Sequence, residues 1–311
     1  MDRGTKMENS LSEPIAYFHG QIVPASQAIV SVYDQGFLLG VTVAEQLRTF
    51  GGKLFRLSDH LDRLHRSLAI VGVDSGHSHA DFTRIADEIV SRNHNLLAKG
   101  NDLGLTIFVT PGPVLHPVVS SPTVCLHTRP LPFRQWVDKY QQGESLATTD
   151  VVQVSTRSWP AELKCRSRVH YYLADREAAA KFPGSRALML DEDGFATEAT
   201  SANVLVYRKS EGLLTPPRSK ILPGISLAAL TELAAAVGIS VNESDLRADD
   251  FSAANEVLLC STSPCVLPVT RFNGKPVANG KPGEVFREIL KRWSVLVHID
   301  IAAQAAQFAS R

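Results

Sequence analysis

Four short segments of the sequence have residue types that suit the binding of a phosphate and a pyridine ring around a lysine. The first runs from Pro160 to Lys164 and ends just before a predicted helix, so that the lysine projects from a rigid element. When such a lysine is partly removed from water, the pKa of its amine falls and the neutral amine can form a Schiff base with an aldehyde. The alternative for Lys164 is an ordinary solvated lysine at the protein surface.

The second segment contains Glu198, which lies among small and hydroxyl side chains in a strand-like run. Partial burial of this carboxylate would be costly unless it had a partner. A protonated pyridine nitrogen is a fitting partner, because that pairing makes a pyridine ring an electron sink. The alternative is a turn followed by an edge strand with an exposed glutamate.

The two remaining segments have the composition of anion-binding turns. Ile221–Ser226 places Gly224 directly before a predicted helix, whose first-turn N–H groups favour a phosphate. Cys260–Pro264 carries hydroxyl side chains in a turn after an apolar strand, which suits a second anion site. The alternatives are an ordinary helix start and a plain Ser/Thr turn.

Hydrophobic spacing and turn residues predict the elements that must position these segments. A hairpin is predicted where His19-Gly20 separates two short apolar runs. The other predicted strands are Leu103–Thr110, Thr123–Thr128, Ser145–Ser155, Ala187–Leu190, Phe195–Thr197, Val204–Tyr207, Ile239–Asn242 and Val257–Cys260. The predicted helices are one capped by Ser58, Ala80–Ala98, Ser167–Lys181, Gly224–Val237 and one from Pro282 into the alanine-rich tail. This mixed order predicts an α+β fold rather than a doubly wound sheet.

The sequence also predicts a division into domains. Residues 1–13 are expected to be disordered and residues 14–129 to form an N-terminal α+β domain. Two prolines close to residues 130–134 indicate a linker there. Residues 135–311 are then expected to form the C-terminal domain that carries Lys164 and the anion-binding turns.

Composition limits the classes of partner. The 32 basic and 32 acidic residues balance, so no basic field indicates a nucleic-acid or membrane partner, and a small molecule is expected. The four cysteines include no C-x-x-C pair, which predicts neither a metal site nor a disulfide framework. The polar N-terminus and the lack of a bilayer-length apolar run predict a cytoplasmic protein.

The order and spacing of these segments resemble the fold type IV pyridoxal-phosphate enzymes, a family of branched-chain aminotransferases, D-amino acid aminotransferases and aminodeoxychorismate lyases. The matching motifs are Val32–Gly40, Glu45, His60–Leu64, Lys164 with Glu177-Ala178, Thr197-Glu198 with Asn203-Val204, Leu222–Ser226, Ser261-Thr262 and Asn273–Lys275. The resemblance implies a two-domain α+β fold of the D-amino acid aminotransferase type. Its small N-terminal domain is an α/β sandwich, and its larger C-terminal domain is β-barrel-like with helices.

The resemblance also implies roles around the cofactor, pyridoxal 5'-phosphate. Lys164 matches the Schiff-base lysine, which also moves the proton between substrate carbon and cofactor. Glu198 matches the carboxylate that pairs with the pyridine nitrogen. Leu222 matches a leucine packed on one face of the ring.

The family's phosphate ligands match a further set of positions. Arg63 matches the arginine that holds the phosphate, since a planar guanidinium suits this anion. Ile225, Ser226 and Thr262 match ligands that act through backbone N–H and hydroxyl groups, and Ser261 neighbours them.

Substrate recognition departs from the family pattern at three positions. Ala44 stands where many relatives have an aromatic residue. Pro111 stands where D-amino acid aminotransferases have an arginine, and Gly104 lies close to the position of an arginine of branched-chain enzymes. Arg48 matches another arginine of branched-chain enzymes and is the predicted contact for a substrate carboxylate, with a structural ion pair as its alternative.

Three functions are therefore compatible with the sequence. The first is an aminotransferase resembling the branched-chain enzymes, which transfers an amino group from an amino acid to a 2-oxo acid. The second is an aminodeoxychorismate lyase that releases pyruvate, which Arg168 favours because the lyases often have arginine four residues after the lysine. The third is a non-catalytic cofactor-binding or scaffold protein. A homodimer is expected from the resemblance alone.

Overall fold

The chain divides into two units in a computed structural model that describes residues 13–114 and 121–309. The first unit extends to Leu131 and also includes Lys164–Ser167, and the second contains Pro132–Leu163 and everything from Arg168 onward. The division after Leu131 falls inside the segment 130–134. The sequence had no signal for the return of Lys164–Ser167 to the first unit. Residues 1–12, most of the predicted disordered N-terminus, lie outside the described residues.

The first unit is a six-stranded antiparallel sheet packed against two long helices. Its elements are β1 (Ile15–Phe18), β2 (Gln21–Pro24), α1 (Gln35–Leu38), β3 (Val43–Phe50), β4 (Lys53–Leu54), α2 (Leu57–Val71), α3 (His79–His94), β5 (Leu103–Thr110) and β6 (Thr123–Pro130). The strands pair in the order β2-β1-β6-β5-β3-β4. Alternation places Glu45 and Leu47 of β3 on the same face, opposite Ile107 and Leu105 of β5. Helix α2 packs on β3.

Both long helices of this unit differ from the predictions at their ends. Helix α2 begins at Leu57, after Arg56 in a left-handed conformation (φ 52°), so Ser58 lies inside the helix and is not its N-cap. Helix α3 is capped by Ser78, which exchanges hydrogen bonds with Asp81 in a capping box. It ends at His94, four residues before the predicted end at Ala98.

The second unit consists of a nine-stranded sheet and six helices among its described residues. Its elements are α4 (Lys139–Gln142), β7 (Glu144–Thr148), α5 (Val169–Lys181), β8 (Arg186–Leu190), β9 (Ala196–Ala199), β10 (Asn203–Arg208), β11 (Gly212–Thr215), α6 (Ile225–Ala235), β12 (Val241–Glu243), α7 (Ala248–Ser252), β13 (Glu256–Ser261), β14 (Cys265–Phe272), β15 (Lys275–Pro276), α8 (Glu284–Val297) and α9 (Ile301–Phe308). The strands pair in the order β12-β11-β10-β13-β14-β7-β8-β9, and β15 pairs with β14.

The connection from β9 to β10 shows that this second sheet curls. The two strands are five positions apart in the pairing order, a distance of about 24 Å in a flat sheet. Only residues 200–202 join them, and such a connection reaches about 14 Å when fully extended. The sheet must therefore bend round until β9 approaches β10, which confirms the predicted barrel-like character of this unit.

Two predictions for the second unit were wrong in extent. The strand predicted over Ser145–Ser155 is β7, which ends at Thr148. The last helix does not continue into the alanine-rich tail, because His298 adopts a left-handed conformation (φ 55°) that ends α8. Asp300 then caps α9 by accepting a hydrogen bond from the N–H of Ala303 at 2.9 Å. Across the described residues, every helix is too short or too polar to cross a membrane.

Candidate active site

Lys164 is held in the first unit by main-chain hydrogen bonds on both of its sides. The N–H of Ala44 donates to the carbonyl of Lys164 at 3.1 Å, and Cys165 forms an isolated bridge with Val43. The N–H of Lys164 donates to Oγ of Ser67 on α2 at 3.2 Å. The segment thus lies along the edge of β3 although it is far from this strand in sequence. The rigid element predicted for Lys164 is this paired segment.

A buried cluster of charged and polar side chains lies near Lys164 in the same unit. Arg63 on α2 donates from Nε to Glu45 Oε1 at 2.7 Å and from Nη2 to Glu45 Oε2 at 2.9 Å. Such a bidentate ion pair fixes the plane of the guanidinium. Nδ1 of His60 lies 2.7 Å from the same Oε2. All three side chains are buried, so water does not stabilise the positive charge of Arg63. The negative charge of Glu45 stabilises it instead.

The pKa values of this cluster fix its protonation. Burial acts to raise the pKa of Glu45, but the charge and hydrogen bonds of Arg63, the His60 bond and the charge of Lys164 hold that pKa well below its usual range. Burial lowers the pKa of His60 more than the bond and charge of Glu45 raise it. An ionised carboxylate only accepts hydrogen bonds, so neutral His60 carries its proton on Nδ1 and donates it to Glu45.

The buried His60 predicts a pH dependence of stability. Its pKa in the folded protein lies below the unfolded value of about 6.5. Its contribution to the free energy of unfolding is therefore present above that pH and is lost as the pH falls toward the folded pKa. One such proton contributes a slope of at most about 1.4 kcal/mol per pH unit. In denaturant unfolding curves between pH 7 and pH 5, His60→Asn is expected to remove this part of the slope.

His298→Asn is the matched control for this prediction. His298 is exposed and left-handed, a conformation that asparagine tolerates. The control is expected to keep the wild-type slope. A slope in His60→Asn that equals that of the wild type would contradict the assignment of a buried neutral imidazole.

The spacing of polar residues on α2 is a signal in the sequence for this buried cluster. His60, Arg63 and Ser67 are spaced three and four residues apart, so they lie on one face of α2. The apolar residues Leu61, Leu64 and Leu68 of the same helix are also buried. Polar residues inside the apolar pattern of a helix indicate buried partners, which here are Glu45 and the main chain of Lys164.

In the second unit, Glu198 lies on β9 and is 6% exposed, which excludes the alternative of an exposed glutamate. Its Oε1 accepts a hydrogen bond from the phenol of Tyr171 on α5. The same oxygen accepts a second bond from Nε2 of Gln153 at 3.0 Å. Sequence reasoning missed both donors, because they lie 27 and 45 residues from Glu198.

The predicted phosphate turn lies at the N-terminus of α6. Gly224 is the N-cap residue and provides no side-chain cap, and Ile225 and Ser226 form the first turn. Nδ2 of Asn203 donates to the carbonyl of Leu222 at 2.9 Å. A Cβ atom added to Gly224 would lie 2.0 Å from Oδ1 of Asn203, so a larger residue here would have to displace the Asn203 amide. Asn203 therefore shapes the turn that precedes the helix.

Asn203 also connects this turn with the second predicted anion site. In the sheet it pairs with Cys260 at the end of β13, which directly precedes Ser261 and Thr262. Both hydroxyl residues are half-buried. The structure thus brings two of the four predicted segments together around Asn203. In the sequence this residue was only part of the motif Asn203-Val204.

Arg48 is in a different environment from the other predicted site residues. Its side chain is 1% exposed, and its Nε donates to the carbonyl of Thr49 at 3.2 Å. Its guanidinium lies 4.0 Å from the centre of the Phe50 ring. These contacts support a structural role for Arg48, and the contact with a substrate carboxylate stays a prediction.

The donor chemistry of each unit fits a different part of a phosphorylated pyridine aldehyde. The first unit provides an amine on a fixed main chain and a guanidinium in a fixed plane, at Lys164 and Arg63. The second provides a buried carboxylate at Glu198, and helix N–H groups without a side-chain cap beside a turn where the Asn203 amide lies against Gly224. An amine suits the aldehyde, a carboxylate suits a protonated ring nitrogen, and the remaining donors suit a phosphate.

Comparisons with known proteins show the family to which the chain belongs. Residues 42–272 match the family model for class IV aminotransferases, and the chain belongs to this family. The D-alanine aminotransferase of Bacillus licheniformis is 28% identical over 277 residues, covering 88% of this chain and 93% of that protein. The D-alanine aminotransferase of Staphylococcus aureus (strain COL) is 26% identical over 273 residues, with 88% and 94% covered. The chain is thus an enzyme of the aminotransferase class.

Solved structures show the same fold. The branched-chain amino acid aminotransferase of Escherichia coli matches with a TM-score of 0.84 at 23% identity, covering 92% of this chain and 95% of that one. The branched-chain amino acid aminotransferase of T.th., solved with pyridoxamine 5'-phosphate, matches with a TM-score of 0.82 at 21% identity, with 93% and 95% covered. These matches confirm the predicted fold type IV architecture. The lyase alternative is not favoured, because the matching family model and the relatives named above are aminotransferases.

Proposed function

We propose that the chain catalyses a pyridoxal-phosphate-dependent transfer of an amino group from an amino acid to a 2-oxo acid, in the manner of the branched-chain aminotransferases. In this proposal Lys164 holds the cofactor covalently and Glu198 pairs with its ring nitrogen. Arg63, Ile225, Ser226, Ser261 and Thr262 hold the phosphate, and Leu222 packs on the ring. The observation that most supports the proposal is the buried carboxylate of Glu198, whose Oε1 accepts hydrogen bonds from Tyr171 and Gln153.

Each of these residues has a separate part in the mechanism. When bound, pyridoxal 5'-phosphate supplies an aldehyde that takes up the amino group and a ring that accepts electron density from the substrate carbon. Nζ of Lys164 would take the proton from the α-carbon of the amino donor and deliver it to the cofactor carbon that receives the amino group. The carboxylate of Glu198 keeps a proton on the ring nitrogen, and this proton makes the ring a better electron acceptor.

The environment of Arg63 supports its part as a phosphate ligand. Glu45 engages two of the five N–H donors of the guanidinium and fixes its plane. A guanidinium whose rotamer is already fixed loses little conformational entropy when an anion binds. The pairing also makes the buried positive charge tolerable before the cofactor arrives. Glu45 therefore prepares Arg63 for a phosphate.

The two half-reactions provide the test of this function. The purified enzyme with bound cofactor is mixed with single amino acids, and the change in the cofactor spectrum is followed. The proposal predicts conversion with branched-chain amino acids, release of one 2-oxo acid per site, and ping-pong kinetics when a 2-oxo acid is added. Failure of every amino donor in a panel that also includes D-alanine would contradict an aminotransferase.

The choice of amino donor is part of the same proposal. A relative that is 28% identical over 300 residues is named a putative branched-chain-amino-acid aminotransferase, which supports L-leucine, L-isoleucine and L-valine as donors. D-alanine serves as the competing donor, because relatives at 28% and 26% identity are named for it. Position 111 is proline, whose side chain offers no donor for a substrate carboxylate. A higher kcat/KM for D-alanine than for L-leucine would overturn the proposed preference.

We also propose that the protein is a homodimer, because the first unit exposes a run of large apolar side chains. Within Ile29–Leu39, the side chain of Phe37 is 72% exposed and that of Leu39 is 68% exposed. Exposed large apolar side chains that cluster along one segment are typical of protein interfaces. A second copy of the chain is the partner proposed for this surface.

Phe37→Asp is predicted to weaken this dimer by at least about tenfold, since it places an unpaired charge in an apolar interface. Analytical ultracentrifugation over a range of concentrations measures the change in the dissociation constant. Leu96→Asp, at a half-exposed leucine of the same unit outside Ile29–Leu39, is the control and should leave the dimer intact. A monomeric wild-type protein at every concentration would contradict the proposal.

The proposed location is the cytoplasm. Cys125 and Cys260 are buried thiols with no disulfide, and burial raises the pKa of the Cys125 thiol to about 12. Thiols of this kind persist in a reducing compartment. Fractionation of cells that produce the protein tests this location, and recovery from a secreted fraction would contradict it.

A further inference from the structure

We propose that Tyr171 is a positioning residue for Glu198, and that its phenol hydrogen bond keeps this carboxylate ionised and correctly oriented toward the ring nitrogen of the cofactor. This inference rests on the proposed function. The family resemblance assigns no role to position 171.

Two side chains from different parts of the second unit donate to one carboxylate oxygen of Glu198. Tyr171 donates from α5, and Gln153 donates from the segment after β7. Glu198 itself lies on β9, the last strand in the pairing order. Both donors reach Oε1, so the carboxylate cannot rotate without breaking both bonds. Its orientation is thus fixed by the fold.

Packing and main-chain hydrogen bonds hold Tyr171 and Gln153 in place. The ring of Tyr171 packs against a buried cluster consisting of Ala147, Ala174, Ala178, Ala187 and Met189. The small alanine side chains of α5 let the helix approach the sheet. The ring of His170 lies 4.2 Å from that of Tyr171, centre to centre. The main-chain N–H of Gln153 donates to the carbonyl of Leu190 on β8 at 2.8 Å.

The protonation of Tyr171 suits a permanent donor. Burial, followed by the charge and hydrogen bond of Glu198, raises the pKa of Tyr171 well above its ordinary value. The phenol therefore keeps its proton throughout the working range of an enzyme. The phenol donates its hydrogen bond to Oε1 of Glu198. A hydrogen bond donated to a carboxylate favours the charged form of that carboxylate.

This hydrogen bond affects the cofactor through the proton on the ring nitrogen. A carboxylate that is stabilised as an anion takes up this proton less readily and leaves it on the ring. Loss of the phenol makes Glu198 more basic, so the ring nitrogen is less fully protonated and withdraws less charge from the rest of the ring. The nitrogen that joins Lys164 to the bound cofactor then becomes more basic. The pH at which the visible absorption of the cofactor changes is therefore higher.

Tyr171→Phe tests this inference, because phenylalanine keeps the packed ring and removes only the hydroxyl. The holoenzyme variant is expected to show a midpoint of its pH-dependent visible absorption about one pH unit higher and a kcat about tenfold lower at saturating cofactor. Gln153→Leu, which removes the second donor, is expected to shift the midpoint in the same direction. Thermal unfolding of the variants checks that the fold is retained.

Tyr172→Phe is the matched control. Tyr172 is the next residue on α5, its side chain is exposed, and its ring contact with Arg176 persists in phenylalanine. The control is expected to keep the wild-type midpoint and kcat. A normal cofactor band in the wild type with an unchanged midpoint in Tyr171→Phe would overturn the inference alone. A wild-type protein that forms no cofactor band would overturn the proposed function and this inference together.

Discussion

Replacement of Lys164 by alanine is expected to lower the rate of transamination by about 10³-fold or more, because it removes the group that we propose as proton donor and acceptor at the substrate carbon. The variant should remain folded. The hydrogen bonds of this residue to Ser67 and Ala44 involve its main-chain N–H and carbonyl, which alanine retains. Stopped-flow measurement of the first half-reaction with a preferred amino acid separates this chemical step from binding.

Two comparisons make the Lys164→Ala result specific. Lys209→Ala removes an exposed lysine in the second unit whose main-chain N–H donates to Asn255, a bond that alanine also keeps. This control is expected to react at the wild-type rate. Addition of a small primary amine to Lys164→Ala is expected to restore part of the activity, since it replaces the missing base. Wild-type activity in Lys164→Ala would rule out its catalytic role.

Glu198→Gln is expected to lower kcat by about 10²- to 10³-fold, the size of effect seen when one preorganised electrostatic group is removed from an active site. Glutamine has nearly the same shape, and its amide oxygen still accepts hydrogen bonds from Tyr171 and Gln153. The expected loss therefore comes from the missing negative charge at the ring nitrogen rather than from altered packing. Steady-state kinetics at saturating cofactor measure this loss.

Glu211→Gln is the control for the charge change. Glu211 forms a surface ion pair with Arg208 at 3.1 Å in the same unit. Such exposed pairs contribute little to stability, so this variant should keep the wild-type kcat. If Glu198→Gln and Glu211→Gln had equal activity, the pairing of Glu198 with the cofactor would have to be abandoned.

Local patterns of the sequence predicted those parts of the fold that depend on neighbouring residues. The strand Leu103–Thr110 and the hairpin around His19-Gly20 are confirmed by the structure. The helix predicted over Ser167–Lys181 begins two residues later, at Val169. Hydrophobic spacing and turn residues carry this information, because they reflect which face of an element is buried.

Contacts between distant parts of the chain could not be predicted in this way. The pairing of Lys164–Ser167 with the edge of β3 places Lys164 beside Ser67, which is 97 residues away in sequence. Strand β14 pairs in parallel with β7 although they are more than a hundred residues apart in sequence. Main-chain pairing of this kind depends on no particular side chain, so it leaves no motif.

The predicted site likewise contains residues that sequence motifs indicated and residues that only the structure revealed. Motif spacing predicted Lys164, Arg63 and Glu198 as site residues, and their roles around the cofactor stay predictions. The partners of two of these residues, Glu45 for Arg63 and Tyr171 for Glu198, emerged only from the structure. A buried charge requires a partner, but composition does not say which distant residue provides it.

Covalent trapping of the cofactor tests the central claim most directly. The purified enzyme is saturated with pyridoxal 5'-phosphate, treated with borohydride to reduce the bond between cofactor and protein, digested, and mapped by mass spectrometry. We expect one modified site per chain, at Nζ of Lys164. A reduced cofactor found on another lysine, or no modified peptide from an enzyme that is active, would contradict it.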